Sequence, residues 1–343
     1  MSKPDILVDR ILIVGLGSIG QRHLGLARDR FPDADIRILR HEVHSDVPPH
    51  ANGCFSILEE ALAFSPQLAV IASPAPFHVA VAQALASVGC HLLIEKPLAD
   101  TWSAAVPLIK QAETCKQAFL LGYNLRYLQS LQRFRQAYKD GLIGRALSVR
   151  CEIGQYLPSW RLGSDYRKSV SARRELGGGV LLELSHELDY LCWLFGDAHW
   201  VRASLARQSD LDIDVEDTAH LTLGFGEQGR PLLAALTLDF IRHDTTRQCT
   251  IIGEMGSLRW NAISGSVEHY PAGSSAWQQL FLQVPERNQS YLAEWQHMVA
   301  CMEGLEQPLV GMHDGLHILK IIEAAHRSSN AAGVQVLIGD IQE

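Results

Sequence analysis

Arg10-Ile11-Leu12-Ile13-Val14-Gly15-Leu16-Gly17-Ser18-Ile19-Gly20 is the stretch on which the fold turns. The apolar run up to Val14 has the character of a parallel strand buried on both faces. The Gly-x-Gly-x-x-Gly pattern that follows opens a helical segment reaching about Arg30. The three glycines do different things. The first permits a tight turn, the second admits backbone N–H groups to a pyrophosphate, and the third lets helix and sheet pack closely. The phosphates then sit at the positive end of a helix. Gly15, Gly17, Ser18, Ile19 and Gly20 are therefore the expected pyrophosphate contacts. A glycine-rich turn without a ligand is the alternative.

Outward from that motif the chain alternates. Strand-like runs at 36–40, 68–72, 91–95 and 118–122 are separated by amphipathic segments at 57–64, 76–88 and 101–117. This rhythm predicts right-handed crossovers and a doubly wound parallel Rossmann sheet over residues 1–123. It stops at Tyr123-Asn124. Beyond it, 146–156 reads as extended and 157–176 as a polar, arginine-rich connection. A single helix is expected over 179–195, β-rich runs over 198–270, and two helices near 289–304 and 314–328. Successive strands without intervening helices predict an α+β C-terminal domain, 124–343, with a large open, mainly antiparallel sheet.

The composition narrows the function. At 343 residues the chain is long enough for about two domains. It is 47% hydrophobic and 20% charged, with 30 Lys and Arg against 38 Asp and Glu, a net charge of −8. A net-acidic chain with no Lys/Arg run of five or more is a poor candidate for binding nucleic acid or an anionic membrane surface. No apolar stretch approaches the roughly 18 residues of a spanning helix. Ile11 to Gly20 could pass for a secretory core, but its glycines and the preceding Asp5 and Asp9 argue against export. Seven singly scattered cysteines read as reduced thiols of a cytoplasmic protein. The histidines at 41, 44 and 50, and at 313 and 317, lack the partners of a metal site, so no metal is expected.

Further clusters carry chemistry. Arg40 ends the second strand, where an NAD enzyme would place a carboxylate against the ribose. An arginine there suits the 2′-phosphate of NADP; stacking on adenine, or Glu42 serving NAD, is the alternative. Ser73-Pro74-Ala75-Pro76-Phe77-His78 and Glu95-Lys96-Pro97 both follow parallel strands, at the edge where open α/β sheets bind ligands. Lys96 there can hold a hydroxyl or stabilise a developing alkoxide; a surface lysine is the plainer reading. On the helix expected there, Glu183, His186 and Asp189 or Tyr190 recur at three- and four-residue steps and share a face, giving a histidine general base with a carboxylate beside it. A core histidine bonded to Asp189 is the alternative.

Taken in order, these clusters resemble the Gfo/Idh/MocA family (glucose–fructose oxidoreductase and inositol dehydrogenase). The likeness also takes in Gly122-Tyr123-Asn124-Leu125-Arg126, the glycines 177–179, His186-Glu187-Leu188-Asp189 and Ile252-Gly253-Glu254-Met255-Gly256-Ser257. It implies hydride transfer between NAD(P) and a carbinol of a sugar or cyclitol, and a C-terminal sheet used for homo-oligomerisation. Lys96 and His186 would be the catalytic pair, with Ser73, Pro74, His78, Glu95, Lys96 and Asn124 at the cofactor. One departure stands out: many members carry an acid four positions before the catalytic histidine, where this chain has Leu182. Its acid, Glu183, lies three before, so Asp189 is the alternative partner for His186.

For the substrate, Trp160, Tyr166 and Arg167 of the 157–176 connection join Lys96, Arg126 and His186. An aromatic face and arginines suit an anionic sugar, such as a sugar acid or nucleotide sugar. A salt-bridged surface loop is the alternative. Two other functions stay open: a redox-neutral enzyme whose retained cofactor oxidises a sugar transiently during cleavage or epimerisation, and a non-catalytic dinucleotide or sugar sensor.

Overall fold

The computed structural model describes residues 8–41, 47–161, 163–226 and 229–342. Glu42 and His44 lie outside them. The chain divides into two compact units, residues 1–123 with 291–316, and 124–290 with 317–343. The alternation of elements along the sequence predicts one domain over all of 124–343; residues 291–316 belong instead with the first unit.

The first unit is built on a six-stranded parallel sheet: β1 (Arg10–Val14), β2 (Asp35–Leu39), β3 (Gly53–Phe55), β4 (Leu68–Ile71), β5 (His91–Glu95) and β6 (Phe119–Gly122). Their spatial order is β3-β2-β1-β4-β5-β6, the doubly wound arrangement, with the order reversing beside β1. Ile11, Leu12 and Ile13 are fully buried, as are Leu68 and Val70 of β4, because a parallel sheet is covered on both faces. Each such side chain contributes about 1.5–3 kcal/mol through burial. The helices are α1 (Ser18–Arg30), α2 (Leu58–Ala63), α3 (His78–Ser87) and α4 (Trp102–Ala112). Trp295, Met298, Cys301 and Met302 pack into the same core as Leu24, Ala27 and Ile36. That is why the late segment belongs here.

The second unit opens with α5 (Gln129–Lys139) and a long strand, β7 (Ala146–Gly154). Two short helices, α6 (Val180–Glu183) and α7 (His186–Phe195), precede β8 (Trp200–Ala206), β9 (Thr218–Phe225) and β10 (Leu232–Asp239). Next come β11 (Thr246–Gly253), β12 (Gly256–Asn261), β13 (Ser266–Pro271) and β14 (Gln278–Leu282). After α8 (Gln289–Met302) and α9 (Met312–Asn330), β15 (Val336–Leu337) completes a nine-stranded sheet. Among the described residues of this sheet only β7 and β10 pair in parallel; every other neighbour is antiparallel. Trp260 anchors its core, edge-on to Tyr190 at 5.3 Å and tilted against Phe134 at 6.4 Å. Its indole N–H donates to Ser130 Oγ at 3.0 Å.

One expected element differs. The helix over 179–195 is interrupted at Leu184-Ser185, giving α6 and α7. Ser185 Oγ donates to the Leu182 carbonyl at 3.0 Å, a local bond that competes with the helical ladder. His186 thereby becomes the first residue of its own helix. The three-residue step from Glu183 to His186 crosses the break, so a shared helix face cannot be inferred from it.

Candidate active site

The ends of β1, β2, β4 and β5 bring the first group of residues to one edge of the parallel sheet. Gly15 sits at φ +87°, the left-handed region that favours glycine, and a Cβ there would lie 2.8 Å from the Ala72 carbonyl oxygen. A Cβ on Gly20 would lie 3.0 Å from the Gly15 carbonyl carbon, so the helix crosses the turn at its closest approach. Gly17 is the opposite case: nothing stands within 4 Å of its Cβ position. It caps α1 without a side-chain hydrogen bond, and no acidic residue occupies the first turn. The cradle is thus open where a pyrophosphate needs backbone N–H groups and closed where the fold needs contact.

Beside it, Ser73 Oγ is buried with no hydrogen-bond partner among the described residues. Such an atom calls for a ligand partner. Together with the open face of Gly17, it fits NAD(P). Arg40, half-buried, follows β2, its backbone N–H donating to Phe55 O at 3.1 Å. The neighbouring His41 ring meets Phe77 edge-on at 5.7 Å.

His78 joins two of these loops from beneath. It is buried, with Nε2 2.7 Å from Ser73 O and Nδ1 2.9 Å from Pro97 O. Burial pushes its pKa down, while the two carbonyls and Glu95 pull the other way. A neutral ring has one N–H, so one carbonyl at a time receives it. His78 thus braces the Ser73 and Pro97 loops. Pro74 precedes the short turn Ala75–Phe77 that leads into α3.

Glu95 is 6% exposed and accepts from two directions: from His23 Nε2 at 2.7 Å and from the Lys96 backbone N–H at 3.2 Å. Gly122 makes room for this carboxylate, since a Cβ there would stand 3.1 Å from Glu95 Oε2. Lys96 is half-buried, and the Lys96–Pro97 peptide is cis. Sequence reasoning missed His23, whose only local signal is its place three residues after Gly20, and Trp295, which bonds His23 from 272 residues away.

The second unit holds the remaining candidates. Gly179 caps α6 at φ +111°, and its missing side chain admits the Glu216 carboxylate, which accepts the Leu181 N–H at 3.2 Å. Glu183 accepts from Ser171 Oγ at 2.8 Å. Asp189 is held by Arg126 through two hydrogen bonds, at 3.0 and 2.7 Å, with both side chains buried. This takes the Arg126 guanidinium, expected at the substrate, into a structural pair. Asn124 Nδ2 donates to Ser290 Oγ at 2.8 Å, also out of solvent. Trp160 and Tyr166 line one small cleft together with Ser171. The Trp160 indole donates to Gln155 O at 3.0 Å, and Tyr166 Oη accepts from Asp212 N–H. Arg167 makes an exposed ion pair with Asp165 at 2.8 Å, and its hydrogen bonds hold the Asp165 carboxyl below the usual carboxylate range. Among the described residues no three His, Cys, Asp or Glu side chains are grouped to hold a metal ion, and no helix is long and apolar enough to cross a membrane.

A doubly wound sheet with an open glycine cradle, followed by a nine-stranded mixed sheet, defines a two-unit dinucleotide-binding protein. The chain belongs to the Gfo/Idh/MocA oxidoreductase family: residues 10–123 match its NAD-binding Rossmann fold and 135–336 its C-terminal alpha/beta domain. It is 30% identical over 186 residues to an uncharacterized oxidoreductase of Synechocystis, covering 49% of this chain and 48% of that one. It is 25% identical over 180 residues to the 2,7-anhydro-N-acetylneuraminate hydratase of Escherichia coli, covering 52% of this chain and 41% of that one. The chain thus spans about half, or less, of the length of these relatives. Its fold is that of the WlbA dehydrogenase of Bordetella pertussis, solved with NADH and UDP-GlcNAcA: TM-score 0.78 at 22% identity, over 96% of this chain and 99% of that one.

Proposed function

We propose that the protein is an NAD(P)-dependent oxidoreductase acting on a secondary alcohol or ketone carbon of a sugar, cyclitol or sugar derivative. The observation that carries this reading is Lys96 at the end of β5, on the sheet edge that also bears the open glycine cradle and the buried Ser73 hydroxyl. The bound nicotinamide supplies hydride exchange at its C4. Lys96 stabilises the substrate oxygen as charge develops on it, and His186 accepts the hydroxyl proton. Glu183 or Asp189 assists His186 as the neighbouring acid, Glu183 being held by Ser171 and Asp189 by Arg126. Arg40 favours NADP over NAD.

The substrate is an anionic sugar, bound with the help of Trp160, Tyr166 and Arg167. Two relatives support this by name, one being a neuraminate hydratase and the other solved with UDP-GlcNAcA. Association of copies through the nine-stranded sheet is in keeping with Leu147 and Leu233, which are 42% and 44% exposed on adjacent strands. A cytoplasmic setting accords with seven free thiols.

An NAD(P)-linked screen of cyclitols, aldoses, uronic acids and nucleotide sugars tests the reading. Lys96→Ala and His186→Ala are each expected to lose about a hundredfold or more in kcat with NAD(P)H binding retained. Wild-type turnover in either variant removes that residue's role. The relative named as a hydratase favours a second reading, redox-neutral turnover with a retained cofactor. Product formation without net change at the NADH absorbance, and without cofactor exchange, selects it. Clean cofactor binding with no turnover on any sugar would leave a sensor.

A further inference from the structure

His23 lies inside the first unit, fully buried on α1, and has no part in the chemistry assigned to Lys96 and His186. Its two nitrogens have unlike partners. The Trp295 indole N–H is a donor only, and it points at His23 Nδ1 from 2.9 Å. Nδ1 must therefore accept, and the single proton of the neutral ring sits on Nε2. That N–H is aimed at Glu95 Oε1, 2.7 Å away. The other Glu95 oxygen accepts the backbone N–H of Lys96 at 3.2 Å. The run of contacts therefore ends on the main chain of the lysine proposed to stabilise the substrate oxygen.

Glu95 is closely confined. Gly122 leaves its carboxylate only the space of an absent side chain. Glu294 is fully buried on α8, with neither oxygen hydrogen-bonded among the described residues, and burial together with the Glu95 charge holds its pKa well above the carboxyl range. Tyr291 meets the His23 ring edge-on at 5.8 Å, with the Arg22 guanidinium 4.6 Å from the tyrosine centroid. Within this setting His23 supplies the side-chain hydrogen bond that holds the Glu95 carboxylate. We propose that His23 is a positioning residue for the reaction: with its tautomer set by Trp295, it holds Glu95 so that Glu95 fixes the Lys96 turn. This rests on the role given to Lys96 above.

Two substitutions separate the ring's two nitrogens. The His23→Gln amide reaches the Nε2 position and can still donate to Glu95. The His23→Asn amide reaches only the Nδ1 position, keeping an acceptor for Trp295 and losing the Glu95 bond. His23→Asn is expected to lose about tenfold or more in kcat, with KM and NAD(P)H affinity changed by less than about threefold; His23→Gln should stay within about threefold of wild type. A merely structural histidine would instead make both activities follow the melting temperature, with no advantage to Gln. In a Lys96→Ala background His23→Asn should cost nothing further in kcat, because the two act as one unit. If Lys96→Ala is inactive while His23→Asn and His23→Gln turn over alike, the positioning role is overturned and the role of Lys96 stands. If Lys96→Ala turns over like wild type, both fall. Should His23→Asn not fold, nitrogen-15 NMR of the wild-type protein decides: an Nε2–H tautomer for His23 is expected, and an Nδ1–H tautomer overturns the proposal.

Discussion

The Arg126 guanidinium takes both carboxylate oxygens of Asp189, Nε to Oδ2 at 3.0 Å and Nη2 to Oδ1 at 2.7 Å, with the two side chains 4% and 0% exposed. A two-pronged contact of this kind sets geometry as well as energy, and it ties the turn before α5 to the first turn of α7. Breaking a buried ion pair by removing one partner is costly, about 3–5 kcal/mol where the remaining charge is uncompensated. Asp189→Asn and Arg126→Met are each expected to lose stability on that scale in urea unfolding. The double variant should lose less than the sum. Arg126→Lys should not rescue, since a single ammonium cannot serve two oxygens in one plane. Additive losses would show that the pair is not one energetic unit.

Glu294 gives a stability effect with a defined pH sign. Burial, and then the neighbouring Glu95 charge, raise its pKa well above the carboxyl range. In the unfolded chain the same group ionises near about 4.3. As pH rises past that value the unfolded state sheds a proton that the folded state keeps, so stability falls with rising pH until the folded group also ionises. Each unit of separation is worth about 1.4 kcal/mol. Glu294→Met removes the linkage at similar side-chain volume. Its melting temperature should match wild type most closely near pH 4 and exceed it increasingly towards pH 7. A constant offset across that range would contradict the raised pKa.

What could be read in the sequence was set by distance along the chain. The strand, glycine turn and helix from Arg10 to Gly20 form one local unit, so their residues announce both fold and ligand. The place of Lys96 directly after β5 was legible in the same way, because a parallel strand delivers the residues after it to the carboxyl edge of the sheet. The interruption at Leu184-Ser185 was not, since a serine hydroxyl bonded to Leu182 O is one option among several for that residue type. Arg126 and Asp189 lie 63 residues apart, and His23 and Trp295 lie 272 apart. No periodicity connects such pairs. The return of residues 291–316 to the first unit was hidden for the same reason: α8 has an ordinary amphipathic pattern that does not say which core it fills.

The three glycines of the cradle should respond differently to a methyl group. Gly17 has φ −66° and ψ −175°, extended backbone open to any residue, and its Cβ position is clear of protein. Gly17→Ala is therefore expected to melt within about 0.5 kcal/mol of wild type. It should bind NAD(P)H at least about tenfold more weakly, because the methyl group fills the approach to the pyrophosphate. Gly20→Ala meets the Gly15 backbone and should lose stability first. Calorimetric titration alongside thermal melting separates the two, and unaltered affinity in Gly17→Ala would place the phosphates elsewhere.

Arg40 is the residue proposed above to select the coenzyme. It follows β2, next to the glycine turn, whose Gly15 N–H donates to Leu39 O at 2.9 Å. A 2′-phosphate there would gain a charge-assisted, two-pronged contact that a ribose hydroxyl cannot offer. Arg40→Ser is expected to weaken NADP binding by about tenfold or more while leaving NAD within about twofold, the loss of one such contact being worth about 1.5–3 kcal/mol. The preference should also depend on pH. A phosphate monoester loses its second proton near pH 6, so the ratio of NAD to NADP dissociation constants should rise through that range in wild type and stay flat in Arg40→Ser. A wild-type protein that binds NAD more tightly at pH 8 would remove the 2′-phosphate from the site and leave Arg40 to the adenine or the surface.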